Sequence, residues 1–149
     1  MQTKETTCVL WKQIPSTVIQ NIPEVFDLLY SLGITANYTG FFYVSYAVYL
    51  IQLQPERLQL VTKWLYPGVA AHFHTSWKAV ERNIRTAVGV AWELRPEMLE
   101  RIHGGSLSKR PSNARFLAIL ANYLRCYTGT TALLFDSCAD VQNRSCQLP

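Results

Sequence analysis

Residues 75–92 read TSWKAVERNIRTAVGVAW, and the spacing within them decides the fold. Val80, Ile84, Ala87, Val88, Ala91 and Trp92 recur at helical intervals and form one apolar stripe. At roughly 100° per residue, Lys78, Arg82 and Arg85 collect on the opposite side. Thr75 or Ser76 stands where a side-chain oxygen can accept hydrogen bonds from the unpaired N–H groups of the first turn. A helix with one buried face and a cationic outer face near its start suits the major groove. The cations meet phosphates and base edges while the apolar face holds the helix on its domain. The same pattern also fits a solvated amphipathic helix of any all-α domain, so periodicity leaves both readings open.

Working outward, the chain reads as helix after helix. The spacing predicts a short helix over Pro23–Leu32 closed by Gly33, a residue suited to the left-handed C-terminal turn. A second runs from Thr39 or Gly40 to about Gln54, with Phe42, Tyr46, Tyr49, Leu50 and Leu53 on one side; its Tyr and Val content also suits a strand. A third opens at Pro55 and carries Leu58, Val61, Thr62, Leu65, Val69 and Phe73 to its end, with Pro67 kinking or splitting it near Trp64–Tyr66. The basic helix follows a turn of only a few residues, which is helix-turn-helix spacing. A short helix from Pro96 stops at Gly104–Gly105. A basic loop, Ser106 to Arg110, then leads through Pro111–Asn113 into a last helix with Phe116, Leu117, Leu120, Tyr123 and Leu124. The expected architecture is all-α, about six helices around a helix-turn-helix, winged-helix-like but without strands. The expected organisation is a tail over residues 1–22, the helical domain over 23–127 and an extension over 128–149.

Composition narrows the function. A chain of 149 residues, 49% hydrophobic, fits one domain with ample core material. Its net charge of +4 is unevenly spread. Residues 57–125 hold 11 Lys and Arg against four acids, Glu81, Glu93, Glu97 and Glu100, whereas the first 56 residues are net acidic. The basic excess lies in the half that holds the two-faced helix, which favours an anionic partner such as nucleic acid. The start has Glu5 and too short an apolar run for a signal peptide, and Phe41–Leu53 is too short to span a membrane, so a cytoplasmic location without a membrane partner is expected. Cys8, Cys126, Cys138 and Cys146 form no C-x-x-C pair and are expected as free thiols.

Catalysis finds no support in the residues. His72 and His74 form an H-x-H pair with no third ligand nearby, and His103 is distant, so no metal is expected. Cys126 lacks any nucleophile signature, and no Gly-rich phosphate motif is present. No cofactor, small-molecule substrate or enzymatic activity is expected. Tyr38, Phe41, Phe42, Tyr43, Tyr46 and Tyr49 can in principle stack on bases, but their helical spacing favours core packing.

The span from about Leu32 to Arg125 resembles the C-terminal effector domain of the stage-zero sporulation response regulator. The likeness is carried by LGI (Leu32–Ile34), by Gly40 with its following aromatic, by VTKWLYP (Val61–Pro67), by VERNIRTAVGVAW (Val80–Trp92) and by SKRPSNARFLAILANYLR (Ser108–Arg125). It covers about two-thirds of the chain in one colinear run. The resemblance implies an all-α fold of six helices and dimeric binding to short operator boxes in double-stranded DNA, as a regulator of transcription in sporulation. Glu81, Arg82 and Arg85 stand where the family's recognition helix carries Glu, Arg and Arg. Lys78 and Ala79 replace a Ser-Arg pair, and Trp77 replaces a Pro; a lysine restores charge but not bidentate geometry. The 31 residues before Leu32 cannot hold a receiver domain, so activation by phosphorylation is not carried over. The expected DNA-contacting set is Lys78, Glu81, Arg82, Arg85, Lys109 and Arg110. A second class stays open: a diverged interaction module that pairs with a full-length regulator and titrates it.

Overall fold

The computed structural model describes residues 22–133, with side chains over 23–126. The expectations for the N-terminal tail, for Cys8, Cys138 and Cys146, and for most of the C-terminal extension lie outside the described residues. Within them the chain is all-α, with six α-helices and no strand. Helix α1 is Ile22–Ser31, α2 is Thr39–Leu53, α3 is Tyr66–His72, α4 is Trp77–Leu94, α5 is Pro96–His103 and α6 is Asn113–Leu133. Between α2 and α3 lie a 3-10 segment, Pro55–Leu60, and a π segment, Val61–Leu65.

Three α-helices end on a left-handed residue. Gly33 (φ 84°) follows α1, and Ile34 N–H donates to Leu29 C=O across it at 2.9 Å. Gly104 (φ 85°) closes α5, where Gly105 N–H reaches Glu100 C=O at 3.1 Å. These bonds satisfy carbonyls that the helix end leaves open. The third is His74 (φ 54°), in the turn between α3 and α4, where Thr75 N–H donates to Ala70 C=O at 2.9 Å. Histidine adopts this conformation more readily than most residues, though less readily than glycine.

Helix α2 is the centre of the molecule. Residues 40–45, Ala47, Val48, Leu50 and Ile51 are buried, so it is covered on nearly all sides rather than along one stripe. That corrects the one-sided expectation: Leu53, assigned to the buried side, is exposed. It also explains the run of apolar residues, since a helix hydrophobic all round must sit inside. Phe41, Phe42 and Tyr43 belong to this core, and the Ser45 hydroxyl is satisfied by donating to Phe41 C=O at 2.7 Å. Helix α4 crosses α2 at Gly40. A Cβ there would sit 2.4 Å from the Asn83 carbonyl oxygen, so only glycine permits this approach of the two backbones.

The third predicted helix is a composite. Pro55 opens a 3-10 segment instead of an α-helix, the chain widens into a π turn, and regular α geometry begins at Tyr66. Pro67 lies in the first turn of α3, where its missing N–H costs no intrahelical bond. The disruption falls just upstream of it, with the change to α geometry at Leu65–Tyr66, inside the stretch where the split was expected. There Arg57 reaches across, donating to Gln54 Oε1 at 2.9 Å and to Trp64 C=O at 3.3 Å, with its guanidinium 5.1 Å from the Trp64 ring centroid.

Candidate nucleic-acid interface

Helix α4 carries the candidate interface, and its first turn is built for an abrupt start. Ser76, not Thr75, is the cap: its backbone is extended and its hydroxyl accepts from Ala79 N–H at 3.2 Å. Val80, Ile84, Ala87, Val88 and Ala91 are fully buried against the core. Trp92, expected in the same stripe, is only half-buried, because it stands at the end of α4 beside exposed Glu93 and Leu94. Lys78, Arg82 and Arg85 are exposed on the opposite side, with Arg82 facing most directly away from the core.

The six expected residues separate into two groups, and the four of them on α4 lie along two rows. Lys78 and Arg82 form an open row, one turn apart and both exposed. The Lys78 ammonium lies 5.8 Å from the ring centroid of Trp77, which opens the helix and is 42% exposed. Glu81 and Arg85 form the second row. Glu81 accepts a hydrogen bond from Arg85 one turn on, an ion pair at i, i+4. This second row and the basic loop face each other across an open cleft, lined by Glu81, Arg85, Lys109, Arg110 and Asn113 and also by Val61 and Thr62 of the π segment. The structure therefore brings Glu81, Arg85, Lys109 and Arg110 together and leaves Lys78 and Arg82 on the ridge beside them.

The loop between α5 and α6 is tied down at several points. Leu107 is buried, and its N–H donates to Glu100 Oε1 at 2.8 Å. Pro111 is buried, and Ser112 caps α6, accepting from Arg115 N–H at 3.3 Å. Asn113 makes the link to α4, donating to Glu81 C=O at 3.1 Å and to the Tyr66 hydroxyl at 3.2 Å. Burial pushes the Tyr66 phenol above its ordinary range, and the Asn113 bond opposes that in part. Arg110 donates to Arg85 C=O, with its guanidinium lying over Gly89. Asn113 and Tyr66 are structural members of this surface that sequence reasoning did not single out. The available signal was an Asn after a Pro and a Ser at a helix start, a pattern more often read as capping alone.

His72 and His74, the other polar pair noted in the sequence, part company. His72 stacks on Tyr46 with ring centroids 4.1 Å apart, and His74 takes up the left-handed turn. No group of three or more His, Cys, Asp or Glu side chains converges among the described residues. No helix among them is long and apolar enough to cross a membrane.

A short helix, a tight turn and a longer helix with one buried and one cationic face define a helix-turn-helix domain, here with a basic loop docked on the second helix. Residues 25–124 match the family described as Sporulation initiation factor Spo0A C terminal, and the chain belongs to that family. It is a family of transcription-factor effector domains that bind DNA, not of enzymes.

Proposed function

We propose that this chain is a sequence-specific DNA-binding regulator that lays the first turns of α4 in the major groove. One observation carries the reading. The open ridge of Lys78 and Arg82 lies opposite the buried stripe at the N-terminal end of α4, the end that helix-turn-helix proteins insert. Arg82 is the base-reading residue in this proposal, since guanidinium donates two parallel hydrogen bonds to guanine O6 and N7. Glu81 accepts from cytosine N4 or orients Arg85. Lys78, Arg85 and Lys109 meet phosphates, which sets register without reading sequence. Operator boxes in tandem would be occupied by a homodimer. An operator partner puts the work in the compartment that holds the chromosome, the cytoplasm expected from the sequence.

An electrophoretic shift with a family-type operator duplex, with and without unrelated competitor DNA, tests the reading. A complex that survives competitor supports it. A complex that competitor abolishes reduces it to non-specific binding. The second reading, a module that pairs with a full-length regulator and titrates it, rests on the Glu81–Arg85 pair, which occupies two of the expected contacts with each other. No shift at all, together with co-elution with a full-length regulator, would favour that reading.

A further inference from the structure

The row Glu81, Arg85, Gly89 runs up α4 at intervals of four, and the start of α6 and the basic loop before it meet this row step by step. Asn113 donates to the carbonyl of Glu81, and Arg110 donates to the carbonyl of Arg85. At the third step there is no side chain. A Cβ on Gly89 would stand 3.2 Å from Arg110 Nη1 and 3.4 Å from both its Cζ and its Nη2. The guanidinium thus lies against the position that a side chain at Gly89 would occupy. Glycine in the middle of an 18-residue helix is otherwise a liability, because it costs backbone entropy and packs nothing. With a Cβ there, the guanidinium would have to move away by a few tenths of an ångström.

We infer that Arg110 is a positioning residue rather than a DNA contact, and that Gly89 is its seat. Arg110 locks the loop to α4, so that Lys109, the neighbouring exposed cation, is presented in fixed register with Arg82 and Arg85. The physical gain is preorganisation: a lysine on a free loop must be ordered on binding, whereas one on a fastened loop is already in place. Lysine at 110 would keep the charge but not the planar fork that spans the Arg85 carbonyl and the Gly89 backbone. The inference rests on the DNA-binding reading for its consequence, but not for the lock itself.

The test uses the full chain and an operator duplex. Arg110→Lys is expected to weaken binding about fivefold, the scale of a single exposed hydrogen bond, even though no charge is removed. Arg110→Ala should weaken it to a similar extent in the wild-type background and add nothing to Lys109→Ala, since the two act as one unit. Gly89→Gln fills the seat with a neutral side chain of higher helix propensity. It should weaken binding while the melting temperature holds or rises, which separates loss of the seat from loss of the fold. In the DNA-free protein, backbone order parameters of residues 108–110 should fall below about 0.6 in both Arg110→Lys and Gly89→Gln. Full binding by Arg110→Lys, additivity of Arg110→Ala with Lys109→Ala, or unchanged order parameters in Gly89→Gln would each overturn the inference. If the wild-type chain binds no DNA, the functional reading falls, and the order parameters alone decide the lock.

Discussion

Arg82 and Lys109 are both exposed cations, and the proposed function gives them different work. Arg82 stands on a rigid helix, on the ridge furthest from the core, where a side chain can reach a base edge in one defined geometry. Lys109 stands on a loop beside a cleft, where a flexible point charge suits phosphate. Arg82→Ala should therefore cost roughly 1–3 kcal/mol on the best operator and relax preference at one base pair. Lys109→Ala should weaken all sequences alike. Both are measured by titrating each variant on the operator and on its single-base substitutions. Uniform weakening by Arg82→Ala would make it a phosphate anchor. The cationic face of Lys78, Arg82 and Arg85 was legible in the sequence, because spacing on one helix sets which residues share a side. The turning of Arg110 onto Arg85 was not, because those residues lie on separate elements and nothing in the local sequence pairs them.

At the level of elements, α4 depends on two contacts with different physics. Ile84 is fully buried on its core face, so Ile84→Ala removes apolar contact and leaves a cavity. The expected loss is about 2–5 kcal/mol in chemical denaturation, with DNA affinity reduced only in proportion to unfolding. An unchanged melting curve would place the buried face elsewhere. Gly40 fails in the opposite direction. A methyl group there meets the Asn83 carbonyl oxygen at 2.4 Å, a backbone atom that cannot swing aside. Gly40→Ala should cost about 1–3 kcal/mol by forcing α2 and α4 apart. It should also shift the amide resonances of residues 80–87, which a purely local helix effect would leave in place. The break before Tyr66 was expected from Pro67, but its π form and the left-handed His74 are irregularities that helical spacing alone gives no reason to expect.

For the whole molecule, the charge of the interface sets the salt response. With Lys78, Arg82, Arg85 and Lys109 facing DNA and Arg110 committed to α4, about four cations displace counterions. The slope of log K against log salt should then lie near −3 to −4, about one unit shallower than if Arg110 also met a phosphate. A slope near zero with binding intact would remove this electrostatic footprint. The sequence by itself determined the helical class, the two faces of α4, the glycine stops after α1 and α5, and the basic excess in one half of the chain. Each follows from residues within a few turns of one another, where 3.6-residue periodicity and local backbone preference act directly. Only the tertiary structure decided that α2 lies buried at the centre, that Gly40 admits α4, and that Asn113 and Arg110 hydrogen-bond to the backbone of α4. Those outcomes depend on which distant surfaces meet, and packing selects them from many locally equivalent arrangements.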